Sequence, residues 1–359
     1  MLSLNDRKWG EFLLKDLFDV SGTITTPPKN LRFNGKTPRI TCSSSNNGID
    51  DFYGNIATEK GNVLTVDSAT IGYISYQYKN FIATDHVEKL SSNYKNFNKL
   101  IALFIKKCIE FSSINKYHYG YKFSQKRIEK QKIILPINFK NEPDYDFMEK
   151  FIKQKEEKKK KTYLSYANER LKELTYKEIP SLDDKEWKEF FVSDIFNVMR
   201  PKSRSEKTYL KGNIHFVASG NFNNGVIRLC KATSNDVLDK KNCISVSPID
   251  GSSFYQRENF LGRGGAGSSI LLLYNDNMNE YSGLFLSKLI KQTCSKYNYG
   301  KMGNQNNIKR EKIILPINSK NGPDYEYMEQ YTKNLMYKKL SYFIQWVKKE
   351  NTSIEIKVP

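Results

Sequence analysis

Several stretches of the chain place reactive residue types at spacings that enzymes use. Gly262 to Gly267 read GRGGAG, which fits the glycine spacing of a dinucleotide-binding turn. Such a turn works by opening a helix whose first amides face a pyrophosphate. Here the glycines run into SSILLLY, a strand-like segment, and TDHVEKL at the equivalent place in the first half has no glycine. That context fits an ordinary turn, or a loop beside a phosphate backbone. Asp144, followed by Glu156 and Lys158, has the residue order of a metal-dependent nuclease. Carboxylates in such a site converge on a metal from strands, whereas these lie along one predicted helix. No Glu-x-Lys follows Asp324 in the second half. A base-flipping amino-methyltransferase needs an amide or acid before Pro-Pro and an aromatic after it, but TTPPKN supplies Thr26 and Lys29. There is no GxSxG, P-loop or Cys–His pairing. None of His86, His118 and His215 is spaced with another as zinc motifs space them, and Cys42, Cys108, Cys230, Cys243 and Cys294 form no CxxC. Nothing here reads as an active site or a metal site.

The remaining polar vocabulary is that of recognition. CSSSNNG, YISYQYK, KYHYGYK and GKMGNQNN mix amides, hydroxyls, tyrosines and lysines with glycine. Asn and Gln can pair with adenine edges, Arg and Lys with guanine, and Ser, Thr, Tyr and Lys with phosphates. The same composition also makes plain turns. With 58 Lys and Arg against 39 Asp and Glu, the formal charge is +19, which favours a polyanionic partner. Lysine and asparagine are abundant throughout, as a coding bias would also produce. The scattered cysteines read as reduced thiols. No apolar run reaches the length of a membrane span and MLSLNDRKWGEF has no signal-peptide core, so the expected compartment is the cytoplasm.

The positioning elements are written twice. KIILPINFKNEPDYDFMEKF from Lys132 and KIILPINSKNGPDYEYMEQY from Lys312 agree at fourteen of twenty positions. RKWGEFLLKDLF and KEWKEFFVSDIF align Trp9 with Trp187 and Phe18 with Phe196; SSNNGI faces NFNNGV, YQYKNFIA faces YQRENFLG, and KYHYGYK faces KYNYGKM. A period near 180 residues is too long for a solenoid and means a duplicated domain. FVASGNFNNGVI and KNCISVSP alternate like half-buried strands, KIILPI reads as a closing strand, and LIALFIKKCIEF and SGLFLSKLIKQ have helical spacing. Each domain is therefore mixed α and β, an α+β fold.

A long helix is predicted after each domain, with Pro143 and Asp144, or Pro323 and Asp324, at its start. In the second helix Met328, Tyr331, Leu335, Phe343 and Val347 form an apolar stripe, which Lys158 to Lys161 interrupt in the first. The bland reading of that lysine run is a solvated face. The expected organisation is a first recognition domain over 1–141, a central helix over 142–180, a second domain over 181–321, and a helix and tail over 322–359. If the helices pair as an antiparallel coiled coil, the domains sit at opposite ends of a rod. A 25-residue helix spans about 40 Å, close to the roughly 34 Å of one DNA turn, so the chain could act as a caliper.

In the order of these blocks, over nearly its whole length, the chain resembles a specificity subunit of a type I or type IIB restriction-modification system. The resemblance rests on Trp9 to Phe18 and Trp187 to Phe196, the YQ…NF block, the KIILP strand and the helix behind each domain. The LPIN-x-KN-x-PDY-x-x-ME wording resembles the type IIB branch, in which one partner chain both cleaves and methylates. The resemblance implies two target-recognition domains, each reading half of a bipartite site in double-stranded DNA across an unspecified spacer. It implies helices that dock methyltransferase or methyltransferase-nuclease subunits. It also implies that this chain is not an enzyme and holds no cofactor, S-adenosylmethionine and magnesium belonging to the partners.

On this reading Lys122, Arg257, Arg263 and Lys301 supply the salt-dependent phosphate term. Ser44, Asn46, Asn47, Gln77 and His118 are candidate contacts in the first domain, and Asn221, Asn223, Asn224, Asn304, Gln305 and Asn306 in the second. Trp9, Trp187 and the paired Tyr117 and Tyr297 are expected in the core. The competing readings are an enzyme acting alone on nucleic acid, and a duplicated RNA-binding or scaffold protein.

Overall fold

The computed structural model describes residues 2–69, 71–234, 236–265 and 269–355. It divides into two compact units, Met1–Thr162 and Tyr163–Pro359. In the first unit the strand Trp9–Leu13 pairs antiparallel with Lys132–Pro136, so the beginning and end of the domain meet. An antiparallel sheet orders Phe18–Gly22, Val87–Ser92, Val63–Asp67 and Ile74–Gln77. A smaller mixed sheet orders Ile49–Tyr53, Thr37–Ile40 and Ile82–Ala83. The amphipathic helix Lys99–Ser113, capped by the Asn98 side chain, buries Ile101, Ile105 and Ile109 among Leu64, Leu90, Phe123, Ile133 and Leu135.

The second unit repeats this topology strand for strand. Trp187–Phe191 pairs with Lys312–Pro316. The larger sheet orders Asn197–Met199, Leu271–Tyr274, Cys243–Val246 and Ser253–Gln256; the smaller orders Val226–Cys230, Lys211–Val217 and Leu261–Gly262. Helix Glu280–Cys294 begins in a capping box at Asn279. FVASGNFNNGVI, expected as one alternating strand, is two strands joined by the turn Asn223–Gly225. The apolar alternation persists on both sides of the turn, which hides the break from periodicity alone. The GRGGAG segment is also a sheet feature. Gly262 lies in a strand, and a Cβ on Gly264 would stand 2.0 Å from the Lys202 carbonyl oxygen. These glycines therefore let two backbones approach; residues 266 and 267 of the segment lie outside the described residues.

The duplicated wording at Lys132 and Lys312 is a structural joint. Ile133 and Leu135 are buried while Ile134 faces out, the period of two that a one-sided strand requires. The Asn138 side chain then accepts the amides of Lys140 and Glu142 at 2.8 and 3.1 Å, as Asn318 accepts those of Lys320 and Gly322 at 2.9 and 3.2 Å. Asn141 and Asn321 take left-handed φ of 62° and 60°, which asparagine tolerates better than most residues. The prolines were expected inside the first helical turn. They lie before it instead, bridging Pro143 to Ile137 and Pro323 to Ile317, and the aspartates are the caps. Asp144 accepts the Phe147 amide at 2.9 Å and pairs with Arg7 at 2.8 Å; Asp324 accepts the Tyr327 amide at 3.0 Å and pairs with Lys185 at 2.7 Å.

The helices run Tyr145–Glu173 and Tyr325–Glu355. Lys158, Lys159 and Lys161 are exposed. Within the second unit, the end of the first helix packs antiparallel on the second helix. Ala167, Leu171 and Leu174 meet Met336, Leu340, Phe343 and Ile344, and the Tyr163 ring meets Phe343 edge-on at 4.6 Å. Asn334 clasps the backbone of Lys177, accepting its amide at 3.1 Å and donating to its carbonyl at 2.6 Å. The expected stripe needs correction: Met328 and Val347 are buried, but Leu335 is exposed and Leu340 takes the inward place. Among the described residues no helix is long and apolar enough to cross a membrane.

Two outcomes are expected from these contacts. Asp324→Ala removes the cap and the ion pair, and should cost about 1–2 kcal/mol in urea unfolding, with Asp324→Asn costing less because the cap survives. The second concerns the free thiols of Cys243 and Cys294, which burial pushes up from 9.0 to about 12. Their contribution to stability is complete below pH 9, where the unfolded thiol is also neutral. It is lost as pH rises from 9 through about 12. Iodoacetamide at pH 8 should label both only after denaturation, as peptide mass mapping would show.

Candidate nucleic-acid interface

The most closely matched surface feature of the two units is a turn built on Asn-Asn-Gly. Asn46, Asn47 and Gly48 have φ of 49°, 55° and 78°; Asn223, Asn224 and Gly225 have 48°, 55° and 75°. Two successive left-handed non-glycine residues cost about 1 kcal/mol or more each, so the surroundings must hold them. A buried glutamine does so in both units. Gln77 Nε2 donates to the Asn47 carbonyl at 3.1 Å and to Thr65 Oγ1 at 3.0 Å. Gln256 Nε2 donates to the Asn224 carbonyl at 3.1 Å and to Ser245 Oγ at 2.8 Å. The neighbouring tyrosines are fixed alike, Tyr76 to Asn62 Oδ1 at 2.8 Å and Tyr255 to Asn242 Oδ1 at 2.9 Å.

A second matched feature is the tyrosine loop. Tyr117 and Tyr297 are buried and donate to Gln131 Oε1 at 2.9 Å and to Glu311 Oε1, respectively. Burial, and then the Glu311 hydrogen bond and charge, push the Tyr297 phenol well above its ordinary value, so it stays a neutral donor. Two residues on, Tyr119 and Tyr299 stand about four-fifths exposed, at 79% and 81%. In the first loop Lys122 lies over the Tyr119 ring at 5.4 Å, and Arg127 stacks 3.8 Å over Tyr121 while donating to the Lys122 carbonyl. Flat rings beside cations at a surface suit bases and phosphates.

The candidate residues fall into distinct roles. Ser44, Asn46 and Asn47 are exposed on the first turn, and Asn221, Asn223 and Asn224 on the second. Their donors are partly spent: Asn46 Nδ2 binds the Ile49 carbonyl, Asn47 Nδ2 the Tyr76 carbonyl, and Asn223 Nδ2 the Val226 carbonyl. Asn221 Oδ1 accepts from Lys291. His118 is exposed in the first tyrosine loop and Lys301 in the second. Asn304 caps the short helix Gln305–Lys309, Gln305 donates to the Val198 carbonyl at 2.7 Å, and Asn306 is exposed. Arg263 extends from the small sheet, its amide bonded to Val217.

Three expectations change. Gln77 is 3% exposed with its amide committed inward, so it braces the turn and has no face for a base. Arg257 pairs with Glu280 at 2.8 Å, a carboxylate that also pairs with Arg170 at 2.6 Å, so its charge is partly compensated. Trp9 is 37% exposed, stacked on Phe104 with its indole bonded to the Leu4 carbonyl, and so lies at the rim of the core. Four further residues of the candidate interface escape the sequence reading. Gln256 is signalled by the repeated YQ, and Tyr119 and Tyr299 by their matched places in the loops. Phe222, 85% exposed at the front of the second turn, has Ser45 as its counterpart, and only its position on the turn distinguishes it from a core aromatic.

The family model described as type I restriction modification DNA specificity domain matches residues 6–164 and 184–341. The chain is 30% identical over 336 residues to the "Type II restriction enzyme BgcI specificity subunit S.BcgI" of Heyndrickxia coagulans, spanning 90% of this chain and 93% of that protein. Among solved structures it is similar to the type I restriction-modification S subunit from M. genitalium, at 14% identity and a TM-score of 0.47, covering 99% of this chain and 95% of that one. It is also similar to the HsdS subunit from Thermoanaerobacter tengcongensis, at 13% identity and a TM-score of 0.30, covering 94% and 91%. With the family's domain matched on both halves and a relative aligned over most of its length, the chain belongs to the DNA specificity subunits of restriction-modification systems.

Proposed function

We propose that the chain is the non-catalytic recognition subunit of a restriction-modification complex, each unit reading one half of a bipartite site in double-stranded DNA. The observation that carries this is the pairing of a duplicated frame with diverging exposed residues. The turn, its glutamine brace and the tyrosine loop match closely, while Ser43–Ser45 faces Gly220–Phe222 and His118 faces Asn298. One frame with two sets of polar surface residues suits two different half-sites. The excess of basic residues supplies the sequence-independent part of binding.

The long helices set the spacing between half-sites and dock the methyltransferase or methyltransferase-nuclease partner. S-adenosylmethionine and magnesium are held by that partner, and the complex acts in the cytoplasm on the cell's DNA. The relative named as a type II specificity subunit favours the branch in which one partner chain carries both activities. The candidate contacts are Ser44, Asn46, Asn47 and His118 in the first unit and Asn221, Asn223, Asn224 and Asn306 in the second. Lys122, Arg263 and Lys301 face phosphates.

Selection from random duplex DNA, with the full chain and its partner, should enrich two short, different half-sites at one fixed spacing. Salt-sensitive binding with no enriched pattern, or stronger competition by RNA, would overturn the proposal. Lys301→Ala should weaken binding to all duplexes alike and lower the slope of log affinity against log salt by about 1. A change in the selected sequence instead would make Lys301 a base contact.

A further inference from the structure

We infer that Gln77 and Gln256 are positioning residues, each locking the turn that presents its unit's DNA-reading side chains. The inference rests on the recognition reading above and adds which buried residues make that reading possible. Both glutamines are almost fully buried, at 3% and 5% exposure, yet their amide hydrogens point at the turn. Each amide spans from a hydroxyl on the central sheet, Thr65 or Ser245, to the carbonyl of the second asparagine. The turn is thereby tied to a buried strand of the four-stranded sheet.

The tie matters because of what it holds. Asn46 and Asn47, or Asn223 and Asn224, keep a left-handed backbone that non-glycine residues rarely adopt. In the first unit the clasp is reciprocal, since Asn47 Nδ2 donates back to the Tyr76 carbonyl at 2.8 Å. Asn46, Asn47 and Asn223 each also give one side-chain amide hydrogen to the protein, so these asparagines serve as frame as well as candidate contacts. The residues just ahead of them are exposed and differ between units: Ser44 and Ser45 in one, Asn221 and Phe222 in the other. A hydrogen bond to a base edge tolerates little displacement, so a turn free to relax to right-handed backbone would misplace these side chains. The glutamine acts through the turn and touches no DNA.

The test uses the full chain with its methyltransferase partner and the random-duplex selection. Gln77→Glu cannot donate to the Asn47 carbonyl and sets a carboxylate against it; Gln77→Met fills the volume without a donor. In either variant the half-site read by the first unit should lose about tenfold or more in enrichment. The other half-site should stay sharp, and salt-dependent binding to unrelated duplex should be unchanged. Gln256→Glu should blur only the other half-site. A folded variant that keeps both half-sites sharp overturns the inference alone, and so does one that blurs both equally, because the residue then supports the whole fold. Should Gln77→Glu fail to fold, Gln77→Met decides by the same criterion. A wild-type complex that enriches no pattern overturns the functional reading, and this inference with it.

Discussion

Each unit is closed by an antiparallel strand pair between its first strand and its last, Trp9–Leu13 with Lys132–Pro136 and Trp187–Phe191 with Lys312–Pro316. The two sheets, the packing helix and the recognition loops all lie between these strands in sequence. Once the pair forms, the chain inside is a closed loop, and the entropy of bringing its ends together has already been spent. The register is fixed by burial. Ile133 and Leu135 face the core, and a slip of one residue would turn them to water and bring Ile134 inward. The same pair aims the long helix that follows. Behind the strand come an asparagine turn and an aspartate cap, the latter held by Arg7 or Lys185 from just ahead of the opening strand.

On that closed frame the recognition surface is assembled from distant parts of the sequence. The Asn-Asn-Gly turn comes early in the domain, its glutamine brace about 30 residues later, and the tyrosine loop after the packing helix. The sheet brings turn and brace together, since Gln77 ends the strand paired with Val63–Asp67, which carries Thr65. Buried amides of this kind are costly unless every donor is satisfied, so the hydrogen-bond partners are as constrained as the glutamine itself. Thr65 and Ser245 differ between the units but each supplies a hydroxyl, and a hydroxyl is what the bond needs.

The overall plan was legible in the sequence because it was stated twice. Several agreements between the copies have a visible physical cause: Trp9 and Trp187 bond Leu4 and Leu182 carbonyls, Tyr117 and Tyr297 bond Gln131 and Glu311, and Asp144 and Asp324 cap helices. Local errors came from patterns that fit more than one structure. A strand–turn–strand hairpin kept its apolar alternation through Asn223 and Asn224 and so read as one strand. Leu335 fits a helical stripe by spacing, yet it is the neighbouring positions that meet the other helix, because a helix face is chosen by its partner.

The sequence by itself determined the duplicated domain, the mixed α and β class, the closing strands, the presence of a long helix behind each domain and the family. These depend on local pattern and on comparison of one half with the other, and both are complete within the string of residues. Only the tertiary structure decided which polar residues face outward and which brace the ones that do. Gln77 and Asn47 are equally polar on paper, but one is enclosed by the sheet and the other stands on the surface. The physical reason is that the cost of burying an amide depends on partners far along the chain, and only folding brings those partners within hydrogen-bond reach.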